Sequence, residues 1–262
     1  MSDYTTIRIE ERDAVLFVTL ARPEVHNAFN DDLIAEATRL FEEIERRDDL
    51  RAVVLTGEGK SFCAGADLNW MSRMVRYSRE ENIRDSAALA KMFAVIDECP
   101  IPLVGRIQGA AIGGGVGLVS VCDIAIASEV ARFGLSEVKL GILPAVISPY
   151  VIRKIGPGHA RALFLTGERF DADRALRIGL VHRVVTPEEI DSAVEETVDQ
   201  LLSSGPEAVR ACKKLISRVE TLDTAHLLPY TIEAISERRT SPEGQEGMTA
   251  FLEKKKAPWV PR

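Results

Sequence analysis

The chain has 262 residues, of which 46% are hydrophobic and 28% charged, with a formal net charge of −7. That length allows a full hydrophobic core, in one large domain or two small ones, and the composition excludes a disordered chain. The acidic balance argues against general nucleic-acid binding, and the lack of any long apolar run argues against a membrane span.

Residues 7–11 and 14–20 alternate or run apolar around Arg12-Asp13, which predicts an opening β-hairpin. Asn30 fits a helix N-cap, and Leu33, Ala37, Leu40, Phe41 and Ile44 follow at helical spacing. A buried strand over 51–56 closes at Gly57-Glu58-Gly59 and leads into a small-residue turn at 62–67. Helices are expected over 68–75 and 82–98, joined by a charged segment at 76–81. Pro100 and Pro102 end the second of these, and a strand at 103–107 leads into a second turn, Gly109 to Gly117. That turn opens an apolar helix over 114–121, followed by a short strand at 124–127. Pro144 and Pro149 interrupt the chain after Glu137. Helices from 156–158 to 165 and over 171–178, and a strand at 181–185, complete the alternating part. From Pro187 onward the pattern is helical, over 188–203, 206–220, 223–239 and 243–254. This organisation predicts an α/β core over 1–198 and a helical C-terminal region over 199–262.

The two turns carry the chemistry. Each follows a buried strand, opens a helix-like stretch and is built of small residues, so bare backbone N–H groups can approach a ligand closely. Two such turns facing each other would hold an oxygen that becomes negative during reaction. The glycine turn does not fit a dinucleotide fingerprint, because glycines at 113 and 115 would need a third at 118, where Leu118 stands. A phosphate-binding Gly-Lys-Ser/Thr loop is also absent. Asp67 can cap the helix after the first turn.

Asn27-Ala28-Phe29-Asn30, Phe62 to Leu68, Gly109 to Gly117 with Cys122-Asp123, and Phe133 to Gly141 resemble the crotonase, or enoyl-CoA hydratase/isomerase, family. Leu165-Thr166-Gly167, Ala175 to Val181 and Glu246 to Lys254 extend the resemblance over nearly the whole chain, in order. It implies a spiral of strand–strand–helix turns with a helical C-terminal trimerisation part, a homotrimer or dimer of trimers, and an acyl-CoA thioester substrate. By position it implies that the amides of Ala66 and Gly114 hold the thioester oxygen, and that the backbone of Ala64, Ala66, Asp67, Leu68 and Asn69, together with Gly113, meets the rest of the ligand. Coenzyme A is part of that substrate, so neither a separate cofactor nor a metal is expected.

Family hydratases often use two glutamates. One is present as Glu137, while Gly117 occupies the position of the other and cannot move a proton. A single carboxylate beside an oxyanion hole suits either syn addition of water to a 2-enoyl-CoA or the shift of a double bond. Leu135 to Lys139, Pro144 to Tyr150 and Ser241 to Gly247 resemble the bacterial branch acting on 3-methylglutaconyl-CoA and isohexenylglutaconyl-CoA, which favours hydration of a branched, carboxylated acyl group. Arg73, Arg76, Arg79 and Arg84 are candidate cations for such a carboxylate, although Arg84 could equally pair with Asp85 or Glu81. Trp70, Met71 and Tyr77 could line the acyl pocket or simply pack helices.

Cys63, Cys99, Cys122 and Cys212 lie far apart, as do the four histidines, which reads as packed reduced thiols without a metal cluster. With an N-terminus lacking the features of a secretory signal, a cytoplasmic enzyme is expected. Lys254-Lys255-Lys256 is either a solvated end or a contact for a ligand phosphate. The alternatives to hydration are a 3,2-enoyl-CoA isomerase and a non-catalytic relative that binds acyl-CoA or RNA.

Overall fold

The computed structural model describes residues 4–260. β1 (Ile7–Arg12) and β2 (Val15–Leu20) form the opening hairpin, with Asp13 and Ala14 both at positive φ in its two-residue turn. β3 (Ala52–Gly57), β5 (Leu103–Ile107), β7 (Ile124–Ser128) and β10 (Arg183–Val185) join in parallel to give a six-stranded sheet of order β1-β2-β3-β5-β7-β10. A second sheet, β4-β6-β8-β9, is made of three-residue strands: Ser61–Cys63, Ala110–Ile112, Arg132–Gly134 and Arg169–Asp171. Each large-sheet strand from β3 to β7 is followed by one small-sheet strand and then by helical chain, so the strand–strand–helix turn is repeated three times. The segments that read as turns in the sequence are therefore turns with a strand inside them. Three residues are too few to show a period of two.

Packing explains why β3 is apolar at successive positions from Ala52 to Leu55. Val53 and Leu55 of β3 face a large core shared with α1 (Asp31–Ile44), α3 (Arg79–Glu98) and α4 (Gly114–Val121). Ala52 and Val54 face the opposite side, where Ile190, Ala193, Val194 and Val198 of α7 (Ile190–Leu202) cover the sheet. On α1, the expected stripe of Leu33, Ala37, Leu40, Phe41 and Ile44 is buried, together with Ile34. Asn30 Oδ1 accepts the Leu33 N–H at 2.9 Å and starts the helix. Asn30→Ala is expected to cost about 1 kcal/mol of stability, measurable by urea unfolding.

Two helix starts differ from expectation. α2 (Leu68–Met74) is followed by α3 from Arg79, not 82, because Ser78 and Glu81 form a reciprocal capping box. The charged segment at 76–81 is thus half cap and first turn. α5 (Ser148–Thr166) begins eight residues before the Gly156-Pro157-Gly158 start read from sequence, and kinks at Gly156 (φ 75°, ψ 158°). Pro149 lies in its first turn, where the missing N–H breaks no helical bond, so it starts the helix instead of interrupting it. α6 (Ala172–Arg177) is capped by Asp171.

Beyond α7 come α8 (Pro206–Thr221), α9 (Thr224–Thr240) and α10 (Pro242–Leu252), none of which buries a single residue in the chain alone. Leu228 and Phe251 are 67% and 82% exposed. α8 is tied to the core by Arg210, which donates to the carbonyls of Arg47 and Leu50, and by Lys213, which pairs with Asp123 at 2.7 Å.

Candidate active site

The first turn is fixed from below by a buried polar knot. His26 and Asn27 both sit at positive φ, and Asn27, fully buried, accepts the Arg22 N–H and donates to the carbonyls of Glu58 and Ser61. This knot delivers Phe29 alongside residue 66. The Phe29 N–H donates to Gly65 O at 2.6 Å and the Asp67 N–H to Phe29 O at 2.9 Å, a one-residue parallel bridge. In that geometry the peptide groups on either side of Ala66 point at Phe29, while the Ala66 N–H points away from it. It donates to no acceptor among the described residues.

Asp67, whose backbone is expected to meet the ligand, commits its side chain to the protein, as the cap read for it requires. Its Oδ1 caps α2 through the N–H groups of Asn69 and Trp70, and its Oδ2 accepts from Arg22 at 2.8 Å, with 5% and 15% of the Asp67 and Arg22 side chains exposed. Burial alone would raise the Asp67 carboxyl. The hydrogen bonds from Arg22 and the two amides outweigh it and hold the group below the ordinary carboxylate range. Arg22→Ala leaves that charge buried and unpaired, so a loss of about 3–5 kcal/mol is expected in urea unfolding, partly recovered by Arg22→Ala with Asp67→Asn. Leu68 is 81% exposed and Asn69 is exposed, on the open side of the turn.

The second turn meets the first directly. Gly113 adopts φ 54°, ψ −117°, a conformation that turns β6 sharply into α4 and excludes a side chain. A methyl built on Gly114 would lie 2.5 Å from the Phe29 ring, and one on Gly115 would overlap the Cys63 carbonyl. From the other side, a methyl on Gly65 would lie 2.9 Å from Ile112 O and 3.8 Å from Gly114 N. The Gly114 N–H, first in its helix, donates to no acceptor among the described residues. Phe29 therefore abuts both turns, its main chain on residues 65–67 and its ring on Gly114.

Glu137 stands over this junction, at the start of a 3-10 turn spanning Glu137–Leu140. A methyl on Gly113 would lie 3.0 Å from its Oε1, and its Oε2 is buried without a hydrogen-bond partner among the described residues. Burial pushes the carboxyl above the ordinary glutamate value, and a backbone hydrogen bond opposes this only in part. Gly117, one turn beyond Gly114, faces Phe93 and Ile147, which are 0% and 4% exposed.

The remaining candidates separate. Trp70 is buried and donates its indole N–H to Asp85 at 3.0 Å, joining α2 to α3. Arg73 pairs with Asp31, while Arg76, Arg79 and Arg84 are exposed, and Asp85 faces Trp70 in place of the pairing read for Arg84. Met71 and Tyr77 are half-buried. Lys254, Lys255 and Lys256 are exposed, and Lys255 pairs with Glu253. Among the described residues no group of three or more His, Cys, Asp or Glu could hold a metal ion, and no helix is long and apolar enough to cross a membrane. Arg22 and Phe93 were not singled out by sequence reasoning, and Ile147 entered only as part of the Pro144 to Tyr150 segment. Phe29 was singled out, but within a motif and without a role, since nothing in one sequence says that a ring abuts a glycine 85 positions away.

A family model described as enoyl-CoA hydratase/isomerase matches residues 10–262. The short-chain-enoyl-CoA hydratase of Clostridium acetobutylicum is 36% identical over 256 residues, covering 97% of each protein. The crotonyl-CoA hydratase of Syntrophomonas wolfei is 34% identical over 259 residues, covering 98% of each. Among solved structures, an enoyl-CoA hydratase from Shewanella pealeana superposes with a TM-score of 0.93 at 40% identity, over 98% of this chain and 96% of that one. Pseudomonas aeruginosa AtuE superposes with a TM-score of 0.95 at 36% identity, over 98% and 100%. With sequence, fold and the two apposed turns agreeing from end to end, the chain belongs to the enoyl-CoA hydratase/isomerase family.

Proposed function

We propose that this enzyme adds water reversibly and syn across the double bond of a 2-enoyl-CoA thioester, with Glu137 as its acid–base group and the Ala66 and Gly114 amides as oxyanion donors. The observation that carries the reading is the half-buried Glu137 carboxyl, one oxygen without a partner among the described residues, lying against the Gly113–Gly114 turn. In the forward direction ionised Glu137 takes a proton from water as the water oxygen bonds to C3. The double-bond electrons move onto the thioester oxygen, where the two amides receive the charge; each such donor is worth about 3 kcal/mol of transition-state stabilisation. The carboxyl then returns its proton to C2 as the carbonyl re-forms. One group serving both carbons from one side gives syn stereochemistry.

The coenzyme A part is proposed to run along the backbone from Ala64 to Asn69, past exposed Leu68 and Asn69. The thioester brings its own coenzyme, and no further cofactor or metal is called for. The apolar residues left uncovered on α8 to α10 support a homotrimer or dimer of trimers, and a cytoplasmic location is part of the same reading.

The acyl group is proposed to be branched and, in the fuller form of the reading, carboxylated. Exposed Arg76, Arg79 and Arg84 support it as cations near the start of α3. The test compares turnover of crotonyl-CoA with that of 3-methylglutaconyl-CoA. Faster hydration of the branched substrate is expected, and the reverse order would reject the branched assignment while leaving hydration intact. A single carboxylate suits a 3,2-enoyl-CoA isomerase too: a 3-enoyl-CoA converted to the conjugated 2-enoyl form without hydration would favour that reading. Tight thioester binding without turnover of any substrate would favour a non-catalytic relative.

A further inference from the structure

The helix that supplies the Gly114 amide also determines how many proton-handling groups the site can have. Residues three apart on a helix share a face, so position 117 is where a side chain from α4 would project on the same side as residue 114. Here that position is closed. A methyl on Gly117 would lie 2.9 Å from two atoms of the Phe93 ring and would overlap Cγ2 of Ile147. Neither neighbour can retreat easily. Phe93 is fully buried, held edge-on by Phe29 at 6.1 Å between ring centroids and flanked by Tyr150 at 5.8 Å. Ile147 is buried at the start of α5.

We propose that Phe93 and Ile147 form a steric wall that closes the Gly117 side of the site to any second carboxylate, leaving Glu137 to handle protons alone. This rests on the hydratase reading above. Seen this way, glycine at 117 is required by the wall as much as it is a missing acid. The consequence is that restoring an acidic side chain at 117 without thinning the wall restores nothing.

Four proteins test this: wild type, Gly117→Glu, Phe93→Ala, and Gly117→Glu combined with Phe93→Ala, each followed by thermal unfolding and by hydration of crotonyl-CoA. Gly117→Glu alone is expected to melt below wild type and to lose at least about tenfold in turnover, because the added side chain collides with the wall. Phe93→Ala is expected to lower the melting temperature of wild type but to raise that of Gly117→Glu, a reversal of sign that marks direct steric coupling. The combined variant should hydrate crotonyl-CoA at least about tenfold faster than Phe93→Ala alone, within the range a second acid–base group supplies. Ile147→Ala provides a second relief should Phe93→Ala fail to fold.

A Gly117→Glu protein as stable as wild type would overturn the wall. So would relief substitutions that lower the melting temperature in both backgrounds, since simple core packing predicts that pattern. A stable combined variant hydrating no faster than Phe93→Ala would overturn the chemical claim. If wild type hydrates no enoyl-CoA while the melting pattern holds, the hydratase reading fails and the steric wall survives, so the two failures are distinguishable.

Discussion

Replacing Glu137 by glutamine is expected to lower turnover by about 10²–10⁴-fold while leaving the dissociation constant of the thioester near its wild-type value. Glutamine keeps the size of the side chain against Gly113 but can neither accept a proton from water nor return one to C2. Equilibrium binding of a product thioester and steady-state kinetics separate the two quantities. Undiminished turnover in Glu137→Gln would remove Glu137 from the mechanism. Because burial raises this carboxyl, the rise of kcat/KM with pH in wild type should lie above the ordinary carboxylate range, and any residual activity of the variant should lack that limb.

The same burial has a stability consequence of opposite sign. In the unfolded chain Glu137 ionises near the ordinary glutamate value of about 4.3, whereas in the folded protein it does so at higher pH. Folding therefore favours the protonated form. What this group contributes to stability is fully present below the unfolded value and is lost as pH rises through the folded one. Glu137→Gln should consequently melt higher than wild type at neutral pH, with the gap closing as pH falls below the carboxylate range. That a group proposed to act in catalysis should cost stability is the expected pattern for a site that holds a charge in a half-buried position.

The second large effect is structural. Gly115→Ala is expected to destabilise the protein by more than the 1–3 kcal/mol typical of overpacking, and to abolish turnover in whatever fraction still folds. The added methyl would overlap the backbone carbonyl of Cys63, so relief requires moving the first turn away from the second. Backbone meets backbone there, and no side-chain rotation can absorb the collision. Those two turns carry the Ala66 and Gly114 amides, and a shift of about an ångström between them would remove the convergence on one oxygen that the proposed mechanism requires. Thermal unfolding with turnover measured below the melting temperature checks both halves. Wild-type stability and rate would show that the turns can part without consequence.

Much of this molecule is legible in one dimension. Asn30 announces α1, and its apolar stripe repeats at the spacing that buries it. The apolar run of β3 anticipates a strand covered on both faces, as α7 on one side and the main core on the other cover it. β4, β6 and β8 were not legible as strands, because three residues gain their hydrogen bonds from partners about 50 or 20 positions away and carry no periodicity of their own. Pro149 misleads for a related reason, since a proline that breaks a helix interior and one that opens a helix look the same until the N-terminus is located.

The chemistry on offer is written in the order of residues: two small-residue turns placed after buried strands, a carboxylate at Glu137, and glycine where a second acid could have stood. Folding in three dimensions is what sets Asp67 against Arg22, Phe29 against both turns, and Phe93 and Ile147 across the space beside Gly117. Residue type fixes which hydrogen bonds and charges a position can offer, and short-range spacing fixes its helix or strand face. Which partner finally meets it depends on contacts between segments far apart in the chain, and those exist only once the core has packed.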